Sequence, residues 1–61
     1  MTNEELDVKV LETIQGGTTR AGEITGRLTA NYRDVDRSLQ RLRRKNKIAY
    51  ASPVQGWKVV A

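Results

Sequence analysis

Residues 31–47 read NYRDVDRSLQRLRRKNK, and their spacing decides what the rest of the chain can be. Taken as a helix at about 100° per residue, Val35, Leu39 and Leu42 fall at i, i+4 and i+7 on one narrow stripe. Arg33, Arg37, Gln40 and Arg44 fall on the opposite side, with Asp36 and Arg41 flanking them. The pattern predicts a helix that packs one edge into a core and shows water, or an anion, a row of arginines. Asn31 can cap it, and Asp34 three residues on gives a weak capping box. Seven of the chain's eleven basic residues lie here, Arg33, Arg37, Arg41, Arg43, Arg44, Lys45 and Lys47, against Asp34 and Asp36, a net +5. Residues 1–28 set Lys9, Arg20 and Arg27 against Glu4, Glu5, Asp7, Glu12 and Glu23, a net −2. The overall +4 is therefore a property of one helix. That points to a polyanion, nucleic acid first, with a solvated basic face as the plain alternative.

Toward the N-terminus, Met1–Gln15 is expected to be a helix. Thr2 can cap it with Glu5 reaching back, and Glu4, Glu5 and Asp7 suit the positive end of its dipole. Leu6, Val10, Leu11 and Ile14 form the apolar stripe; Val8 sits off it and Asp7 projects near it. Gly16-Gly17 ends the helix. Thr18–Leu28 reads as a short second helix, entered through a brief extended segment and a cap at Thr18-Thr19, with Ala21, Ile24 and Leu28 inward. Gly22 and Gly26 weaken this helix, which suggests close packing against a neighbour. Thr29-Ala30-Asn31 is a turn of helix-turn-helix length. Beyond Lys47 the period becomes two: Ile48, Tyr50, Trp57 and Val59 share one side of a β-hairpin whose tip, Ser52–Gly56, has turn chemistry. The aromatic face must pack on the helices, with Tyr50 and Trp57 near-opposite.

The chain is long enough for one domain, residues 1–61, with a single small core. It has no cysteine and no histidine, which excludes disulfides and the usual zinc sites. No convergent carboxylate pair or phosphate loop is visible either, so no catalytic residue, metal ligand, cofactor or small-molecule ligand is assigned and an enzyme is not expected. No apolar run approaches the ~20 residues that span a bilayer. The acidic start is not a secretory signal, so a cytoplasmic location is expected, nucleoid-associated in a prokaryote. Met1 and the capping box behind it suit a natural start.

Helix, extended segment, helix, turn, basic helix, hairpin: this order, carried by Ile24 and Leu28, by Val35, Arg37, Leu39 and Leu42 in YRDVDRSLQRL, and by NKIAY…GWKVV, resembles the winged helix-turn-helix DNA-binding family over the whole length. The fold class implied is α+β, three helices followed by a two-stranded β-hairpin wing. Within that family, LQRLRRKNKI and GWKVV are similar to the Z-DNA-binding Z-alpha branch, with Trp57 at its wing tryptophan. Two positions depart: that branch has an asparagine and a tyrosine facing the zigzag backbone where this chain has Asp36 and Gln40. Its wing proline pair is reduced to Pro53. A carboxylate facing phosphates is repulsive, so ordinary B-form duplex is the expected target.

The resemblance implies a third helix in the major groove. Tyr32, Arg33, Asp36, Arg37 and Gln40 would then face base edges, while Arg20, Arg41, Arg44, Lys45 and Lys47 neutralise phosphates. The wing would contribute Ser52, Pro53 and Gln55 at its tip and Lys58 as its only cation. Each assignment has a simpler counterpart. Asp36 can pair with Arg33 or Arg37, Trp57 can anchor the core, Tyr32 can staple onto the second helix, Arg20 can face water, and Thr18 and Thr19 can be structural. The expected role is sequence-specific DNA binding by a small transcriptional regulator, a repressor or activator, or a recombination accessory factor of prokaryotic or phage type. Val8 marks a possible homodimer face. The alternatives are a protein-docking module of winged-helix fold, or a binder of Z-DNA or double-stranded RNA.

Overall fold

The structure is a computed structural model and describes residues 2–60. Helix α1 spans Asn3–Gln15, and the Thr2 hydroxyl accepts from the Glu5 N–H at 3.2 Å, as the capping pattern predicts. Met1, which the expected helix included, lies outside the described residues. Leu6, Val10 and Ile14 are buried along one edge; Leu11 is half-buried beside them. Gly17, at φ +104°, reverses the chain. Its N–H and that of Thr18 close on the carbonyls of Ile14 and Thr13 at 3.0 and 3.1 Å, the bonding pattern of a left-handed helix stop.

Helix α2, Ala21–Leu28, is shorter than the Thr18–Leu28 expected. Arg20 stands at its N-cap position without a side-chain capping bond, so the capping role expected of Thr18 and Thr19 is corrected. The reason is local. The Thr18 N–H is still closing α1, and the Thr19 carbonyl accepts from the Trp57 N–H at 2.8 Å, so neither residue is free to enter the helix. The close packing inferred from Gly22 and Gly26 is also corrected: a methyl at either position would meet nothing within 4 Å. Thr29 ends α2 at φ +48°, an uncommon conformation for a β-branched residue.

Helix α3, Tyr32–Arg44, is capped by Asn31, whose side chain accepts from the Arg33 N–H at 2.9 Å. Val35, Leu39 and Leu42 are buried as the stripe requires. The helix stops short of Lys47. Asn46, at φ +59°, takes the left-handed position, and the Asn46 and Lys47 N–H groups bond the carbonyls of Arg43 and Leu42. Strands β1, Ile48–Ser52, and β2, Gly56–Val59, then pair antiparallel with Ile48 opposite Val59 and Tyr50 opposite Trp57. The register slips between Tyr50 and Ser52, and the Ser52 hydroxyl accepts from the Gln55 N–H at 2.9 Å to shape the tip.

The core is one cluster: Leu6, Val10 and Ile14 of α1, Ile24 of α2, Val35, Leu39 and Leu42 of α3, and Ile48 and Trp57 of the hairpin. The hairpin thus closes the open side of the three helices, and the expected α+β domain of three helices followed by a two-stranded hairpin is present. The layout is compatible with a winged helix. No helix among the described residues is long and apolar enough to cross a membrane.

Candidate nucleic-acid interface

One amphipathic helix divides its polar residues three ways. Its outer face carries Arg33, Arg37 and Arg44, all exposed, and a shallow depression there is lined by Asp36, Arg37, Gln40, Arg41 and Arg44. Lys45 and Lys47 extend this face, exposed, into the turn that follows. Asp36 pairs with neither Arg33 nor Arg37 among the described residues, where the only ion pair is a different one.

That ion pair occupies the flank toward α1. Asp7, buried, accepts from Arg41 Nη2 at 2.8 Å and from Arg41 Nε, and it also accepts a short hydrogen bond from the buried Ser38 hydroxyl. Burial alone would raise the Asp7 carboxyl. The bonds from Arg41 and Ser38 and the positive charge of Arg41 outweigh it and hold the group below its ordinary value. The bonds to Asp7 and the negative charge of that carboxylate in turn raise the Arg41 guanidinium. Arg41, expected on phosphate, has its Nε and Nη2 held by Asp7, because a carboxylate on the facing stripe of α1 cannot be buried unpaired. Composition missed this network, yet it left a signal. Asp7 interrupts the apolar edge of α1, and Ser38 sits between Val35 and Leu42 on the edge of α3.

The third flank faces α2 and the hairpin. There a groove of about 390 Å³ is lined by Arg20, Tyr32, Asp36, Tyr50, Pro53 and Trp57, among others. Tyr32 is 57% exposed and walls the groove together with Ala21 and Gly22 at the start of α2. Trp57, at 9%, is the core anchor. Tyr50 meets it edge to face, ring centroids 5.2 Å apart, yet remains 53% exposed, because the pair straddles the rim of the core. Arg20, expected on phosphate or in water, donates from Nη2 to the Val54 carbonyl at 2.9 Å, tying the start of α2 to the hairpin tip. Pro53 and Gln55 are exposed at that tip, whereas the Ser52 hydroxyl already serves the turn. Lys58 is exposed and alternates away from Trp57, so it faces off the groove.

The hairpin's seat against the Thr18-Thr19 segment is close. Gly56 has φ +76°, and a Cβ there would stand 2.4 Å from the Thr19 carbonyl oxygen, so no side chain fits. On the exposed face of α1, Val8 is 55% exposed among Glu4, Glu5, Lys9 and Glu12. One valine among charges offers little of the roughly 800 Å² per partner that a stable interface buries. Comparison with family models, with curated proteins and with solved structures finds no match for this chain.

Proposed function

We propose that this domain is a small winged helix-turn-helix protein that binds double-stranded DNA by laying α3 in the major groove, as a transcriptional regulator or recombination accessory factor. The observation that carries the reading is the segregation of charge: an outer α3 face of exposed arginines, whereas the exposed face of α1 carries glutamates. A helix so exposed and so basic suits a groove wide enough to admit it. Arg33, Arg37 and Gln40 are the candidates for base edges, with Tyr32 and Asp36 beside them. Arginine matches guanine and glutamine matches adenine. Arg44, Lys45 and Lys47 are the candidates for phosphates. A fluorescence-anisotropy titration of a mixed-sequence duplex at several salt concentrations tests this. The expected result is binding that weakens with salt, with a log–log slope of roughly −3 for those three cations. Absence of binding at low salt rejects the reading.

A further inference from the structure

The chain has three aromatic residues, Tyr32, Tyr50 and Trp57, and all three line the groove between α3, the start of α2 and the hairpin. Core packing does not account for this. Trp57 alone is buried, while Tyr32 and Tyr50 leave more than half of their surface to solvent. The groove is also built rather than incidental. Its hairpin wall is fixed by the Trp57–Thr19 backbone bond, by the Arg20 bond to Val54 and by the side-chain-free approach of Gly56. Two features set its chemistry. Aromatic side chains next to a basic face are what an unstacked nucleobase needs, since every base has a π-face and its strand carries phosphates. The carboxylate of Asp36, on the groove wall, has no ion-pair partner among the described residues and can only accept hydrogen bonds when ionised. Among the bases, guanine offers adjacent ring N–H and amino donors to a carboxylate.

The geometry points to this groove as a receptor for one unpaired guanine held beside a duplex: the base stacks against Tyr50 and Tyr32, and Asp36 accepts from its Watson–Crick edge. This rests on the duplex-binding reading above and adds a preferred substrate, a duplex interrupted by an extrahelical guanine. A cationic side chain is the poorer occupant, since Arg20 lines the same groove in a domain of net charge +4.

The test compares four probes of one sequence by competition anisotropy: perfect duplex, and duplexes bulged by a single guanine, a single thymine or an abasic site. The guanine bulge is expected to bind roughly tenfold tighter than perfect duplex, the thymine bulge less tightly than guanine, and the abasic bulge no better than perfect duplex. Tyr50→Ala should abolish the gain without weakening perfect-duplex binding, Tyr50→Phe should keep it, and Asp36→Asn should level guanine with thymine. Equal gains for abasic and guanine bulges would mean that bending, not the base, is recognised, and would overturn the proposal. So would no gain from any bulge while salt-dependent duplex binding persists. The wild-type arms decide even if Tyr50→Ala fails to fold. Loss of all binding, perfect duplex included, sinks the duplex reading instead.

Discussion

Arg37 and Arg41 stand one turn apart on α3, identical in chemistry, and their surroundings give them different work. Arg41 is gripped by Asp7 across the α1 interface; Arg37 has no ion-pair partner among the described residues and faces outward. The two flanks of the helix repeat the contrast. Toward α1, the carboxylate, hydroxyl and guanidinium satisfy one another. Toward the hairpin, a carboxylate and two tyrosines stay open to solvent. A count of cations therefore overstates a binding surface, because a charge already held by the fold gives little to a ligand.

The comparison can be broken hardest at the hairpin, since the open flank exists only while the hairpin is seated. Gly56→Ala places a methyl on the Thr19 carbonyl and forces a left-handed alanine, which should cost about 2–4 kcal/mol in chemical denaturation. In a chain this small, where the core rarely supplies more than about 3–5 kcal/mol, that is close to unfolding. A variant as stable as the parent would mean the seat is looser than described.

The closed flank comes next. Asp7→Ala leaves Ser38 and Arg41 without their partner and should cost about 2–3 kcal/mol. Its pH dependence has a fixed sign. The folded carboxyl lies below its ordinary value of 3.8, so its contribution is complete above about pH 4 and fades as the pH falls through the lower folded value. Wild type should thus lose its advantage over Asp7→Asn in acid. A constant gap down to about pH 2 would show that the charge on Asp7 does not matter.

The finest test sets two arginines against each other on DNA. Arg44→Gln should reduce the salt slope by about 1 and weaken all sequences alike, whereas Arg41→Gln should leave the slope unchanged while lowering the melting temperature. Equal slopes for both variants would erase the distinction between held and free cations.

The first and third helices were legible in the sequence because each carried a periodic apolar edge behind a polar cap: Thr2 and Asn31 cap as read, and Val35, Leu39 and Leu42 are buried as read, whereas the start of α2 was misplaced. The hairpin was legible from its change of period. What stayed hidden depended on partners distant in the chain. Nothing within five residues of Thr19 announces that Trp57 will bond to it, and nothing near Arg41 announces Asp7. The candidate face on α3 was likewise visible as a charge pattern, but its membership was not. Local spacing places Arg41 beside Arg37 and cannot say which of them the first helix will hold.

The Thr19–Trp57 bond also carries a kinetic consequence. The helices form from neighbours, but this bond must close most of the chain into a loop before it is rewarded, so docking of the hairpin is expected to come late in folding. The chain's single tryptophan sits at that junction. Its emission is then a built-in clock for the last step, readable by stopped flow without any added label.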